Sequence, residues 1–443
     1  MNAAVDSLLL PRWVVTVDPG DRVLTDHAVA IRDGCIEAVL PAEEARRRWP
    51  AAETVALPDH ALMPGLVNAH THAAMSLLRG LADDLPLMQW LQEHIWPAEG
   101  RWVDEQFVHD GSALAFAEML RGGTTCLNDM YFFPEVTARL ADEVGMRAVV
   151  GMIVLDFPTQ YAEGPDQYLE KGLRLHDRYR SHAMVHTAFA PHAPYTVSDE
   201  PLRRIRTYAD ELEVPVQMHV HETQGECDAA QAERNERPLA RLERLGLLSP
   251  GFCAVHMTAV DDDELDAVAR NGASVVHCPE SNLKLASGFA PVQRMQRAGI
   301  NVALGTDGAA SNNDLDMFGE MRTAALIAKA VAGDAEAVPA DTALRMATIN
   351  GARALGLGDT IGSIEAGKAA DLVAVDLGAL ETQPVFDVVS QLVYAAGRHQ
   401  VSDVWIAGRP QIRRGELVTL DRDDLRRRAR DWRDRIAAGR ASA

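Results

Sequence analysis

The chain has 443 residues, 47% hydrophobic and 24% charged, with 43 Lys+Arg against 64 Asp+Glu for a net charge of −21. That balance fits a folded globular protein with a sizeable core and excludes a disordered or fibrous chain. So acidic a surface repels phosphate backbones and anionic lipid, so neither nucleic acid nor a membrane surface is expected as a partner.

No apolar run nears the roughly 18–20 residues of a bilayer span. The longest, Met146–Leu155, stops at Asp156. The opening MNAAVDSLLLPRW has no basic region ahead of its apolar stretch and does not read as a secretory signal, so the cytoplasm is the expected location. The five cysteines, Cys35, Cys126, Cys227, Cys253 and Cys278, form neither a CxxC pair nor a disulfide pattern. Thiolate zinc is therefore not expected, nor is a deaminase site of the HxE and PCxxC type.

In chain order, residues 1–63 alternate apolar runs with turns: Trp13–Val17, a turn at Asp18-Pro19-Gly20, His27–Arg32, a turn at Asp33-Gly34, then Ile36–Leu40. These predict short antiparallel strands. From residue 64 the pattern becomes that of βα units, with eight Val/Ile/Ala-rich runs: Leu62–Ala69, Thr124–Asp129, Met146–Leu155, Met184–Ala190, Pro215–Val220, Phe252–His256, Ala273–His277 and Asn301–Thr306. Short strands return after residue 363, at Asp371–Asp376 and Val404–Ala407. The fold class is α/β: a (β/α)8 barrel over 64–362, with a composite β-sandwich built from 1–63 and 363–443, so that the two ends of the chain meet. Asp421–Arg440, with Leu425, Trp432 and Ile436 at helical spacing among interleaved acids and bases, predicts a solvated surface helix.

Barrel active sites form from the loops at the C-terminal ends of the strands, so what ends each strand is informative. Strand one ends in His70-Thr71-His72 and strand two in Asp129. The later strands are followed by His192, His219, His256, His277 and Asp307. The remaining histidines, His27, His60, His94, His109, His176, His182, His186 and His399, read as ordinary core or surface residues. On an extended strand His70 and His72 point the same way and can grip one ion. HxH alone is weak. With an imidazole from strand five and a carboxylate from strand eight it becomes an N3O site that suits Zn²⁺ and leaves a position for water.

PGLVNAHTHAAMSLLRG at 64–80, MHVHE at 218–222, AVHMTAV at 254–260, SNLKLASG at 281–288 and GTDGAASNNDLDMFGEM at 305–321 carry a resemblance. In these stretches the chain resembles the amidohydrolase superfamily, and within it the 5′-methylthioadenosine/S-adenosylhomocysteine deaminase family with its adenosine-deaminating relatives. LPDHALMPG and GSIEAGKAADLVAVD look like that family's composite sandwich, so the likeness spans essentially the whole chain. The resemblance implies that His70, His72, His219 and Asp307 hold one Zn²⁺ per subunit, with Glu222 as proton shuttle. It also implies that Asp307 accepts the water's proton and that His256 stabilises charge near the metal. Glu99 is implied on the ribose hydroxyls and His192 as a substrate donor, with Glu222 and Asp307 also against the substrate. That substrate is a small adenine nucleoside, whose 6-amino group is exchanged for oxygen and released as ammonia, and a homodimer or homotetramer is implied.

Met184–Pro194 lacks the carboxylated lysine of two-metal relatives, which favours a single metal; the same ligands also suit Fe²⁺. Relatives that accept S-adenosylhomocysteine well can carry arginines after strand three, whereas Ala148–Glu170 contains neither Arg nor Lys and is made apolar by Met152 and Phe157. Methylthioadenosine and adenosine are therefore favoured, with Arg147 and Lys171 as the nearest cations that could still serve S-adenosylhomocysteine. His221 is read as structural, facing away from the metal by strand alternation. His277 is read equally as a loop-fixing residue or a substrate contact, and Trp90 and Trp96 as pocket walls or core. Gly362–Ala369 nearly matches a phosphate-binding loop, but Ala369 replaces the needed hydroxyl and a strand follows, so it reads as a β-turn. Deamination of guanine or another heterocycle, or dechlorination of a triazine, is the alternative on the same metal site. A non-catalytic scaffold is a third reading, disfavoured because every ligand position is filled.

Overall fold

The computed structural model describes residues 4–441. Strands β1 (Ser7–Val15), β2 (Val23–Thr25), β3 (His27–Arg32), β4 (Cys35–Pro41) and β5 (Glu53–Pro64) come first. Eight more follow: β6 (Leu66–Thr71), β7 (Thr124–Asp129), β8 (Arg147–Val154), β9 (Val185–Pro191), β10 (Val216–Val220), β11 (Phe252–His256), β12 (Ser274–His277) and β13 (Val302–Leu304). The last are β14 (Leu372–Asp376), β15 (Val401–Ile406), β16 (Arg409–Arg413) and β17 (Glu416–Leu417).

β6 to β13 pair in sequence order, each parallel to the next, with helices in the connections. Every residue of β7 and β8 is buried, as a sheet covered on both faces requires, which is why these strands read as continuous apolar runs and not as alternation. The Asn68 side chain and a backbone hydrogen bond close the barrel between β13 and β6. Asn68 donates to Thr306 Oγ1 at 2.7 Å and accepts from Thr306 N at 3.0 Å, and Asp307 N donates to His70 O at 3.1 Å. A Cβ on Gly305 would lie 2.8 Å from the His70 backbone, so only glycine lets this seam close. The seam brings the end of strand one beside Asp307.

The two ends of the chain share one nine-stranded sheet, joined where β14 runs antiparallel to β5 and β5 parallel to β1. Leu9, Val29, Ile31, Leu57, Leu372 and Trp405, from five strands of that sheet, lie in one buried cluster. The run Leu62–Ala69, expected as one strand, divides at Gly65 between β5 in this sheet and β6 in the barrel. Burial continues on both sides, so hydrophobicity gives no sign of the break. The rest of β5 does not alternate, because Pro58, Asp59 and His60 interrupt it, and nothing in the pattern predicts it. Gly362–Ala369 forms turns against β4, as expected; Lys368 there donates to Gly358 O at 2.6 Å and Ser363 Oγ at 2.7 Å.

Helix Arg422–Ala441 exposes most of its surface but docks Leu425, Trp432 and Ile436. Trp432 Nε1 donates to Asp110 at 3.0 Å, and its ring meets Phe107 edge-on at 5.2 Å, tying this helix to Glu105–Arg121. Among the described residues no helix is long and apolar enough to cross a membrane.

Candidate active site

At the C-terminal mouth of the barrel the strand ends bring four donor atoms together. His70 Nε2 lies 3.1 Å from His219 Nε2, His219 Nε2 lies 3.3 Å from His72 Nε2, and Asp307 Oδ1 lies 3.0 Å from His72 Nε2 and 3.6 Å from His70 Nε2. Tetrahedral Zn²⁺ with ligands at about 2.0–2.1 Å has edges of about 3.3 Å, so this donor set fits such an ion. His70, His72, His219 and Asp307 also form a group of metal-capable side chains by mutual distance.

Hydrogen bonds on the far side of each ring fix which nitrogen faces inward. His70 Nδ1 donates to Gln217 Oε1 at 3.1 Å, His72 Nδ1 to the Met130 carbonyl, and His219 Nδ1 to the His192 carbonyl at 2.7 Å. These oxygens only accept, so Nδ1 carries the proton and Nε2 presents its lone pair. Gln217 is itself held by Asn128, each amide bonding the other at 2.8–2.9 Å. Ser281 and Ser311 both donate to Asp307 Oδ2 at 2.7 Å, leaving Oδ1 to the cluster.

Electrostatics agree with a cation site. Burial, with neighbouring imidazoles adding to it, depresses His70 to about 4 and His219 well below the ordinary value, so both stay neutral and able to ligate. Burial alone would raise Asp307, yet the imidazoles of His70 and His72 hold it well below the usual carboxylate range. Burial also opposes charge on His72, but the Asp307 carboxylate pulls it up to about 9: the cluster draws in positive charge.

The cluster lies at one side of a cavity of about 320 Å³ whose walls include Trp96, Glu99, Ile153, Leu155, Phe157, His192 and Glu222. Glu222 is buried, and burial followed by the Asp307 charge pushes its carboxyl up to about 8. His256 lies outside the donor group: its Nδ1 bonds Asn282 Oδ1 at 2.8 Å and its Nε2 stands 3.9 Å from Glu222 Oε2. Its ring stacks on His219 at 5.5 Å, so it faces the same space. His192, lowered to about 3 by burial and the nearby His72, bonds Thr196 Oγ1 at 3.1 Å and turns the rest of its ring to the cavity.

Glu99 comes from an irregular excursion after strand one, where a π-helical turn at Leu91–Ile95 leads into helix Trp96–Trp102. Both Trp90 and Trp96 line the cavity. Met152 does not. It lies in the core against Gly172, while the residues next to it on β8, Ile153, and the later Leu155 and Phe157 supply the apolar wall.

Other rim residues serve structure. Asp129 Oδ1 accepts from Ala73 N at 2.8 Å and so anchors the turn that follows His72. His277 is buried outside the cavity walls, with no hydrogen-bond partner on either ring nitrogen among the described residues. His221 also points away, but alternation is not the reason: two residues beyond His219, it would share that face on an unbroken strand. At φ +52° the chain leaves the strand at His221, and Nε2 accepts from Leu239 N at 3.1 Å behind the site. Glu226 pins this kink, accepting from the amides of His221 at 3.2 Å and Glu222 at 2.8 Å. Gln217, Asn128, Glu226 and Tyr131 support the site without belonging to any of the motifs, whereas Ser281 and Ser311 lie within two of them.

A parallel barrel whose strand ends converge three imidazole nitrogens and one carboxylate on a point is the architecture of a metal-dependent hydrolase. Residues 61–410 match the sequence model of the amidohydrolase family, and the chain belongs to that family. It is 52% identical to a 5-methylthioadenosine/S-adenosylhomocysteine deaminase of Saccharophagus degradans, over 99% of this chain and 98% of the relative. Among solved structures, an adenosine deaminase of Xanthomonas campestris with bound zinc is similar at 57% identity and a TM-score of 0.98, covering 99% of this chain and 100% of that one. Atrazine chlorohydrolase of Arthrobacter aurescens, complexed with zinc, shares the fold at 23% identity and a TM-score of 0.90, covering 96% of this chain and 99% of that one.

Proposed function

We propose that this chain is a hydrolytic deaminase of adenine nucleosides that works with one Zn²⁺ per subunit, held by His70, His72, His219 and Asp307. The observation that carries the reading is the joint lining of one cavity by His72, His219 and Asp307 of the donor cluster, by Glu222 and by Glu99. Relatives at 50–57% identity bearing adenosine or methylthioadenosine deaminase names support it.

The bound metal would supply an acidified water, with a pKa brought from about 15.7 towards 7. Water's oxygen forms the bond to C6 and the C6–N6 bond breaks; of water's two protons, one ends on N1 and one on the departing ammonia. Asp307 would accept the first proton, its carboxylate being held in place by Ser281 and Ser311. Glu222, whose carboxyl burial and the Asp307 charge raise to about 8, is suited to donate at N1 and to recover the second proton of water, while the proton taken by Asp307 leaves with the ammonia. His256, its Nδ1 fixed by Asn282, turns Nε2 towards the developing oxygen. His192 orients the base, and Glu99 accepts from the ribose hydroxyls.

Among the described residues, no Lys or Arg lines the cavity. Arg147 is bound to Asp371, Nε to Oδ2 at 2.7 Å, and Lys171 reaches the Tyr161 carbonyl. An amino-acid carboxylate on the 5′ side would find no cation, whereas a methylthio group would meet Trp96, Ile153, Leu155 and Phe157. Methylthioadenosine and adenosine are therefore the favoured substrates over S-adenosylhomocysteine. The free cysteines suit a reducing cytoplasm, and the homo-oligomer remains part of the proposal.

Ammonia release from adenosine, methylthioadenosine, S-adenosylhomocysteine, guanine and a chlorotriazine tests the reading. Turnover of the first two, with S-adenosylhomocysteine slower, is expected. Turnover of guanine or the triazine with none of any adenine nucleoside would sink it.

A further inference from the structure

The Glu99 carboxylate has one hydrogen-bond partner among the described residues, the Tyr131 hydroxyl, which donates to Oε1 at 2.8 Å. The two side chains come from different elements: Glu99 from helix Trp96–Trp102, Tyr131 from the segment just beyond β7. Tyr131 is only 4% exposed, its ring 5.3 Å from Phe132 and 6.5 Å from His72. Burial, with Glu99 beside it, raises the phenol well above its ordinary pKa, so it remains a donor.

A phenol that gives its single proton to Glu99 has lone pairs left and nothing further to donate, and an ionised carboxylate only accepts. Towards the cavity, which both residues line, the pair therefore offers acceptors alone: Tyr131 Oη, Glu99 Oε2 and the second lone pair of Oε1. The chemical complement is two donors on adjacent carbons, such as the cis-diol of a ribose. We propose that Tyr131 is a specificity-determining residue, accepting one ribose hydroxyl while Glu99 accepts the other, so that the enzyme selects ribonucleosides over deoxyribonucleosides. The inference rests on the adenine-nucleoside reading above. A residue present only for packing would be replaced without loss by phenylalanine, which keeps the ring and removes only the hydroxyl.

The test is steady-state ammonia release from adenosine, 2′-deoxyadenosine and 3′-deoxyadenosine by the zinc-loaded wild type and Tyr131→Phe. The wild type is expected to discriminate against both deoxy analogues by on the order of 10- to 100-fold in kcat/KM, because each leaves a buried acceptor unpaired. In Tyr131→Phe, kcat/KM for adenosine should fall about 10-fold, mostly through KM. The analogue lacking the hydroxyl that Tyr131 accepts should lose almost nothing, so discrimination against that one collapses while the other persists. A double-mutant cycle with Glu99→Gln should give strongly non-additive losses on adenosine. Equal losses on all three substrates, or no change on any, would overturn the inference and leave the deaminase reading standing. Absence of turnover of every adenine nucleoside by the wild type would overturn both.

Discussion

Three histidines present Nε2 to a common point because a carbonyl or amide oxygen claims Nδ1 of each, and the oxygens come from Gln217, Met130 and His192. Glu99 has a more delicate balance. Burial pushes its carboxyl up to about 7, against the stabilising Tyr131 hydroxyl. As pH falls through about 7 the carboxylate takes up a proton and loses acceptor capacity, whereas above that value it is fully an acceptor. The product nucleoside inosine should therefore bind more weakly as pH falls through this range, while the free base hypoxanthine should not follow it. Titration calorimetry checks this, and in Glu99→Gln the pH dependence should vanish. The metal ligands are legible in sequence because HxH and a histidine ending a strand are local patterns. Tyr131 and Gln217 are not: each is a single polar residue whose partner lies 32 and 147 positions away, respectively.

Among the elements, β10 shows how one strand can serve two geometries. His219 sits on the strand proper, and the left-handed turn at His221 then swings Glu222 into the same cavity. Glu226 holds the turn from the amide side, and Thr258 Oγ1 holds it by donating to the Glu222 carbonyl at 2.7 Å. Glu226→Ala leaves two amides without their acceptor, at about 1–3 kcal/mol each. We expect kcat to drop at least about 10-fold with zinc content unchanged, since His219 lies before the kink; loss of zinc in step with activity would contradict this. Strand positions were readable from apolar runs, but the αL kink was not, because His and Glu do not advertise left-handed backbone as Gly does. Likewise the π-helical turn that delivers Glu99 carries no periodicity of its own.

Across the whole molecule, the barrel and the nine-stranded sheet are joined by a buried ion pair. Arg147 at the start of β8 bonds both carboxylate oxygens of Asp371, at 2.7 and 3.1 Å, and also the Ala183 carbonyl at 3.0 Å. Asp371 Oδ1 in turn accepts from Ala407 N at 2.8 Å. Arg147→Ala strands a buried carboxylate and should destabilise the fold by about 3–5 kcal/mol. The joint replacement Arg147→Met with Asp371→Leu should lose much less, as denaturant unfolding would read. Neither change should alter the preference among 5′-substituents, because Arg147 is absent from the cavity walls. Chain-order logic anticipated that the two ends of the protein meet, but not that β5 would be the strand that joins them, since its middle carries Pro58, Asp59 and His60.

The most direct measurement is zinc stoichiometry and adenosine deamination on one preparation, stripped with a chelator and then titrated with Zn²⁺. Activity should disappear on stripping and return in proportion to bound zinc, reaching its maximum at one ion per chain. Full ammonia release by the stripped protein, or zinc bound at one per chain without any return of activity, would contradict the account.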